Sequence, residues 1–245
     1  MAVREVARAG SVVPFPFADD LASYLETRSG RVAVAVFDSK TGVTYSYNGR
    51  THFVTASIVK VAVLGTLLRK AQNADRRLTS TERSLATRMI EQSDNAATTA
   101  LWRRVGRAPA VGAFVGKVGM RSTVPGSAWG LTSTTAPDQV RLVRTMAYPN
   151  AVLSADSREY GDSLMRAVTP FQKWGVSDGV PDDATVALKN GWLPYGGGWV
   201  INSVGHVRGE KSDYVIAVLT SGNPSMRYGV STVEHVSSMM SDLRQ

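Results

Sequence analysis

The order of hydrophobic patterns is the feature that most constrains the fold of this chain, because strand-like segments lie only near its two ends. Alternating apolar residues predict a hairpin over 32–47. Strand patterns then return at 185–190, 199–207 and 214–220. A lone hairpin is at best marginally stable in water, so the two groups of strands are expected to pair in one sheet.

The segment between the two groups of strands is helical in pattern throughout. A helix starting at Ser57 is apolar on nearly every side, which is typical of a buried helix. Thr79 and Glu82 have the spacing of a capping box at the start of the next helix. Further helices are expected at 96–105, 108–118, 137–146 and 154–168 in the middle, and at 15–28 and 230–243 near the ends.

This order predicts an α+β fold, in which an antiparallel sheet built from both chain ends carries flanking helices and an all-helical lobe is inserted between them. A chain of 245 residues is long enough for such an arrangement. Residues 1–50 and 180–245 are expected to form the α/β lobe, and residues 51–179 the helical lobe. We expect the active site in the cleft between the lobes, a usual position for ligand sites.

Composition excludes several classes of protein. Apolar residues make up 43% of the chain, but none of their runs approaches the roughly 18 residues of a membrane helix. The absence of cysteine excludes disulfides, thiolate metal sites and cysteine nucleophiles. The net charge is +8, yet the basic residues are scattered, which argues against nucleic-acid binding and is compatible with association with an anionic cell-wall polymer.

Ser57 and Lys60 form a candidate catalytic pair, because residues three apart share one face of a helix. A serine becomes a useful nucleophile when a base takes its proton, and a lysine kept neutral can do so. The polar triplets Ser93-Asp94-Asn95 and Lys189-Asn190-Gly191 follow. Taken alone, Ser57 could simply cap the helix, and either triplet could be an ordinary turn.

In combination and in this order, S-x-x-K, S-D-N and K-x-G resemble the motifs of the penicillin-recognising serine enzymes, and within them the class A β-lactamases. The resemblance covers nearly the whole chain. It implies that Ser57 attacks a carbonyl carbon, that Lys60 takes the serine proton, and that Ser93 relays a proton to the leaving nitrogen. The substrate-binding residues that it implies are Asn95, Lys189, Asn190, Gly191 and Trp192. Trp192 would act through its backbone N–H, which would form the oxyanion hole together with the backbone N–H of Ser57.

The chain departs from the family pattern at three places. Asn190 stands where the family usually has threonine or serine, and Gly198 stands near the position of an arginine that pairs with the substrate carboxylate. In addition, no Asp or Glu lies between Ala96 and Pro137, where class A enzymes carry the glutamate that activates water. If that glutamate is missing, Lys60 must be the acylation base, and the acyl-enzyme should lose its acyl group slowly.

The sequence therefore predicts a serine acyl-transfer hydrolase that acts on an amide or a β-lactam through an acyl-Ser57 intermediate and deacylates slowly. One alternative is a D-Ala-D-Ala peptidase-like or biosynthetic peptide or ester hydrolase, and another is a penicillin-binding sensor or non-catalytic binder. We expect a small-molecule β-lactam or peptide substrate, no metal and no cofactor. We expect a secreted or cell-wall-associated protein whose signal peptide lies outside this sequence, with a cytoplasmic location as the alternative.

Overall fold

The computed structural model describes residues 12–14 and 18–241, so the expectations for the first ten residues and for the outer ends of the two terminal helices lie outside it. Its main sheet contains six strands in the order β1-β3-β2-β8-β7-β6. These strands are β1 (Val12–Pro14), β2 (Arg31–Asp38), β3 (Thr44–Tyr47), β6 (Thr185–Tyr195), β7 (Gly198–Arg208) and β8 (Asp213–Asn223). A second sheet pairs β4 (Phe53–Val54) with β5 (Ser133–Thr134).

The two ends of the chain meet in the middle of the main sheet, as the sequence predicts. Strand β2 pairs antiparallel with β8 over its full length, from Arg31 opposite Ser221 to Asp38 opposite Tyr214. Residues 32–37 of β2 are buried without alternation, because helices cover both faces of the sheet. The predicted α+β fold is thus confirmed, and short β1 is added parallel to β3 at one edge.

Eight α-helices complete the described part of the chain. They are α1 (Ala18–Glu26), α2 (Val59–Asn73), α3 (Ser80–Glu91), α4 (Asn95–Val105), α5 (Arg107–Val118), α6 (Ala136–Ala147), α7 (Ala155–Arg166) and α8 (Met226–Ser241). The predicted capping box is confirmed at α3, where Thr79 and Glu82 satisfy each other's backbone N–H groups. Among these helices, none is both long enough and apolar enough to cross a membrane.

Hydrophobic contacts form three clusters that fix the position of the central helix α2. The largest cluster surrounds α2 with α3, α4, α5 and α7. Eleven of the fifteen residues of α2 are buried, and six of these belong to this cluster. A second cluster lies between the sheet and helices α1 and α8. The third packs α6 against the opposite face of the sheet. Helix α6 lies within residues 51–179, the predicted helical lobe, and yet it packs on the sheet of the other lobe. The predicted boundaries of the two lobes stay a prediction.

Strand β6 corrects the predicted end of this strand at residue 190 and the alternative interpretation of residues 189–191 as a turn. It runs from Thr185 to Tyr195 without a break, so Lys189-Asn190-Gly191 is not a turn between strands. The turn lies beyond it, at Gly196 and Gly197, whose φ angles of 64° and 81° suit the two-residue hairpin that joins β6 to β7.

Candidate active site

Ser57 lies in a 3₁₀ turn, Ala56–Ile58, that leads directly into α2. Helix α2 itself begins at Val59, and its N-cap residue is Ile58, which makes no side-chain capping bond. The interpretation of Ser57 as a simple helix cap is therefore wrong. Its side chain is half-buried, and within residues 18–241 its hydroxyl has no hydrogen-bond partner.

Two hydrogen bonds from the fully buried Asn202 hold the residues that precede Ser57. The Asn202 side chain on β7 donates to the carbonyl oxygens of Val54, at 2.9 Å, and Thr55, at 3.1 Å. Its own oxygen accepts from the backbone N–H of Thr220 at 3.0 Å, so the amide is satisfied at both ends. Sequence reasoning did not identify Asn202, although a polar residue inside an apolar central strand is a usable signal.

Gly191 brings strand β6 against this turn. A Cβ atom built on Gly191 would lie 2.7 Å from the backbone nitrogens of both Ser57 and Ile58, and 2.8 Å from the carbonyl oxygen of Thr55. Any side chain would collide with backbone, which cannot move aside as a flexible side chain can. Glycine is needed here for close approach of two backbones, and not for its φ angle.

Lys60 is completely buried on the first turn of α2. Its Nζ atom donates to the Ser93 carbonyl oxygen at 2.6 Å, to Ser93 Oγ at 2.9 Å and to Asn95 Oδ1 at 2.9 Å. The face of the Trp129 ring also lies close, with its centroid 5.1 Å from Nζ. Ser57 Oγ is not among the hydrogen-bond partners of Lys60 in this conformation.

Ser93 joins the two lysines of the motifs. Its hydroxyl lies 2.9 Å from Lys60 Nζ and 3.0 Å from Lys189 Nζ. Ser93 has a φ of 57°, in the left-handed region that few non-glycine residues adopt, and this conformation is held by its neighbours. The next residue, Asp94, caps helix α4 by accepting from the N–H of Ala97 at 2.9 Å.

Both lysines have lowered pKa values. Burial lowers the pKa of Lys60 to about 7, and the nearby Asp94 carboxylate acts weakly in the opposite direction. Burial, followed by the positive charge of Lys60, lowers the pKa of Lys189 well below its usual value. Besides Ser93, Lys189 contacts only neutral oxygens, those of Gln172 at 3.3 Å and of Asn190 at 3.0 Å.

Asn95 and Asn190 are placed differently. Asn95 is exposed at the start of α4, and its amide nitrogen has no hydrogen-bond partner within the described residues. Asn190 is fully buried, donates to the carbonyl oxygens of Gln172 and Trp174 at 2.8 and 3.0 Å, and accepts from Ser203 at 2.5 Å. This network uses the whole Asn190 amide inside the protein, so the geometry gives its side chain a structural role.

Trp192 follows Gly191 on β6. It is half-buried, and its ring lies 5.9 Å from that of Trp174, measured between centroids. The Trp174 ring thus packs beside β6 at the residue that follows Lys189-Asn190-Gly191.

The segment that lacks acidic residues approaches the site from the side of α2. Thr55 donates its N–H to the carbonyl oxygen of Thr132 at 2.9 Å and its hydroxyl to that of Gly130 at 3.4 Å. The indole N–H of Trp129 donates to Thr99 at 3.2 Å, which fixes the ring over Lys60. No carboxylate is among the hydrogen-bond partners of Lys60, Ser93 or Lys189 within residues 18–241.

The nearest acidic residue along that segment, Asp138, is directed elsewhere. Its carboxylate is buried and accepts from Ser122 N at 2.8 Å, Thr123 Oγ1 at 2.9 Å and Arg141 at 2.9 Å. Asp138 therefore braces the loop before β5. In the part of the chain that the structure describes, no group of three or more acidic or histidine side chains could hold a metal ion.

The chain matches the beta-lactamase enzyme family (Beta-lactamase2) over residues 16–82 and 77–243. Since this match spans most of the sequence, the protein belongs to the beta-lactamase enzyme family. It is 28% identical over 197 residues to "Putative lipoprotein LppW" of Mycobacterium tuberculosis and of Mycobacterium bovis. That alignment takes in 76% of this chain and 62% of those relatives, so the chain spans less than two thirds of their length.

Solved structures with the same fold include enzymes named as β-lactamases and a protein named PBP-A. PBP-A has a TM-score of 0.83 and 18% identity, with 96% of this chain and 98% of PBP-A covered. The TLA-1 extended-spectrum β-lactamase has a TM-score of 0.84 and 19% identity, with 93% and 98% covered. A variant of PBP-A in an acyl-enzyme complex with penicillin G gives 0.82 and 19%, with 94% and 97% covered. At these identities the likeness concerns the fold.

Proposed function

We propose that the protein is a serine hydrolase that opens a β-lactam or a related amide and forms an acyl-Ser57 intermediate that hydrolyses slowly. One observation carries the proposal: the Ser93 hydroxyl lies within hydrogen-bond distance of two buried lysine amines, beside the turn that contains Ser57. Burying two amines is costly unless they are used or paired, and no carboxylate of the described residues forms a hydrogen bond with either of them.

Counting hydrogens indicates how one positive charge is shared by the two lysines. Each Nζ atom contacts three oxygens, of which one is the common Ser93 hydroxyl and two can only accept. A neutral amine has two N–H groups and a lone pair. Whichever of Lys60 and Lys189 is neutral can therefore give its hydrogens to the two acceptors and receive the Ser93 hydrogen on its lone pair. This hydroxyl is built to relay a proton.

The acylation step follows from this arrangement. Neutral Lys60 turns toward Ser57 and takes its proton while Ser57 Oγ forms a bond to the carbonyl carbon. The C–N bond then breaks, and the leaving nitrogen receives the Ser93 hydroxyl proton. Lys60 returns its proton to Ser93, which restores both groups. A pKa of about 7 leaves about half of Lys60 neutral at neutral pH, a suitable value for a general base.

Transition-state charge would be stabilised by backbone N–H groups. The resemblance to class A enzymes assigns the oxyanion hole to the N–H groups of Ser57 and Trp192. The tight contact of Gly191 with the nitrogen of Ser57 supports this assignment, since it brings β6 beside the turn. Preorganised donors of this kind are among the largest contributions to catalysis.

Substrate recognition is proposed for the free amide nitrogen of Asn95, which is exposed and can donate to a substrate carbonyl. Lys189 is fully buried and contacts the Ser93 hydroxyl, so it acts on the substrate through that group. Gly198 has no side chain to pair with a substrate carboxylate, and the Asn190 amide is occupied inside the protein. Recognition of the substrate's carboxylate is accordingly expected to be weak.

Slow deacylation is proposed because the face of Lys60 where a carboxylate would be needed is occupied by Trp129. An indole ring cannot take a proton from water, and the neighbouring segment has no acidic residue from Ala96 to Pro137. The second step must then depend on Lys60 and Ser93 again. A D,D-peptidase-like or ester hydrolase is the alternative function that this observation favours, and a persistent acyl-enzyme would make the protein a penicillin-binding sensor.

Intact-mass spectrometry after mixing with benzylpenicillin tests the proposal. We expect a mass increase equal to one penicillin, located on the Ser57 peptide and persisting for minutes or longer. Two matched variants complete the test. Ser57→Ala should give no adduct, and Ser84→Ala, which changes an exposed serine on α3, should behave as the parent protein. Rapid loss of penicillin without an adduct would show an efficient β-lactamase instead, and neither adduct nor turnover with penicillins or D-Ala-D-Ala peptides would overturn the proposal.

A further inference from the structure

A second cleft, on the other side of the loop before β5, contains none of the proposed catalytic residues. It has a volume of about 1060 Å³ and lies between the loop after β3, the end of α5 and the start of α6. Its lining includes Ser46, Arg50, Thr51, Arg121, Ser122 and Arg141. We call this space the arginine cleft.

Positive charge dominates the arginine cleft. Arg50 and Arg121 are exposed, and neither has a hydrogen bond or an ion pair within the described residues. Arg141 gives one nitrogen to Asp138 at 2.9 Å. Asp138 is the one acidic residue among the described lining residues, and its carboxylate is buried and already accepts from Ser122 and Thr123. Within the described residues, the cleft thus presents guanidinium groups without an exposed acid to neutralise them.

Neutral donors are spaced between the arginines. The hydroxyls of Ser46, Thr51 and Ser122 line the cleft, and none of them has a hydrogen-bond partner within residues 18–241. Guanidinium groups match carboxylate and phosphate oxygens, and hydroxyls match the hydroxyls of sugars or polyols.

Partly buried hydrogen bonds and one close packing contact hold the walls of the arginine cleft. Asp138 connects the loop at Ser122 to Arg141 on α6. On the opposite wall, the Asn48 side chain donates to the Val32 carbonyl oxygen at 2.9 Å. A Cβ on Gly49 would lie 3.1 Å from Pro137 at the start of α6, so this loop packs tightly on the helix. A cleft with preset walls loses little entropy when a ligand binds.

We infer that the arginine cleft binds an anionic, hydroxyl-bearing oligomer, a glycan or polyol chain that carries carboxylate or phosphate groups. The volume exceeds what one sugar would fill and is at the upper limit of ordinary small-molecule sites. A nucleic acid is the less favoured polyanion, because none of the described lining residues is an aromatic on which bases could stack. The inference does not depend on the chemistry of Ser57.

Titration calorimetry with defined oligomers tests this inference. The probes are an oligogalacturonate, which carries carboxylates, a glycerol-phosphate oligomer, which carries phosphates, and a neutral dextran of similar length. We expect binding of one or both anionic probes and none of dextran. The preferred probe identifies the source of the negative charge, and Ser57→Ala should bind as the parent protein does.

A matched pair of double variants locates the site. Arg50→Gln with Arg121→Gln should weaken binding at least tenfold, whereas Arg103→Gln with Arg107→Gln, which removes the same charge from exposed positions outside the cleft, should change it less than twofold. Equal losses in the two double variants, or no binding of either anionic probe at millimolar concentration, would overturn the inference. Tighter binding of oligo-dT with the same dependence on Arg50 and Arg121 would replace the glycan by a nucleic acid. Equal unfolding midpoints would confirm that all variants are folded.

Discussion

The active site and the arginine cleft use positive charge in opposite ways. Lys60 and Lys189 are fully buried around Ser93, and burial lowers the pKa of both amines. Arg50 and Arg121 are exposed and have no partners in the described part of the chain. A buried amine can exchange a proton, whereas a guanidinium stays charged and can only attract or hold an anion. The surroundings of a cation, more than its sign, therefore decide what it can do.

The strongest test of the comparison removes the buried base. Lys60→Ala should slow penicillin acylation by about 10²- to 10⁴-fold, since this is the usual contribution of a general base. Lys70→Ala, which removes an exposed lysine from the same helix, is the matched control and should leave the rate unchanged. Stopped-flow fluorescence with a fluorescent penicillin measures both. Normal acylation by Lys60→Ala would show that another group is the base.

Glu82 is the opposite of Lys60, because it is a buried charge that is paired with oppositely charged side chains. Glu82 is buried and accepts hydrogen bonds from Arg76 and Arg104. These hydrogen bonds, above all the one from Arg76, lower the pKa of Glu82 to about 2. Glu82→Gln should lose roughly 1–3 kcal/mol of unfolding free energy, because it weakens the charge-assisted hydrogen bonds from two partly exposed arginines. The stability that Glu82 provides is present above about pH 4.5 and is lost as the pH falls toward 2.

Urea unfolding at pH 7 and at pH 3 checks this expectation. The difference between the parent protein and Glu82→Gln should shrink at the lower pH, while acylation at pH 7 by the folded variant stays normal. A difference that does not depend on pH would mean that packing, and not charge, stabilises this site.

One added methyl group should disrupt the contact between β6 and the turn that contains Ser57. Gly191→Ala should slow acylation by roughly tenfold or more and lower stability by about 1–3 kcal/mol, because the new Cβ would lie 2.7 Å from the nitrogens of Ser57 and Ile58. Gly116→Ala is the control, since nothing lies within 4 Å of its Cβ position in helix α5. The control should be neutral or slightly stabilising. A fully active Gly191→Ala would contradict the close approach.

The smallest expected effect is the change of the acylation rate with pH. Acylation should rise with pH through about 7, because only neutral Lys60 can accept the Ser57 proton. At pH 6 the rate should be about tenfold below its plateau. Binding of an anionic oligomer to the arginine cleft should hardly change over the same range, because Lys60 is not part of that cleft. Rates measured from pH 5.5 to 8.5 check this, and a flat profile would rule out Lys60 as a base of that pKa.

Much of the fold was predictable because it depends on local patterns. The valines at every second position of β2 and the capping box at Thr79 depend on neighbours a few residues apart. The strand patterns at both ends of the chain also predicted one common sheet. The motif order also pointed to the family. Strand β6 shows where this reasoning failed, since its Lys189-Asn190-Gly191 segment allowed both a turn and a strand until the pairing with β7 was known.

The candidate site depends on contacts that no local pattern contains. Lys60 and Lys189 meet at Ser93 because the sheet register and the packing of α4 bring together residues that are far apart in the chain. Successive side chains of a strand point to opposite faces, so the register of β6 directs Lys189 to Ser93 and Asn190 into the interior. Sequence alone determined which chemical groups were available and the order of the elements that carry them. Tertiary structure decided which groups are buried together, and burial sets the pKa values on which the proposed chemistry depends.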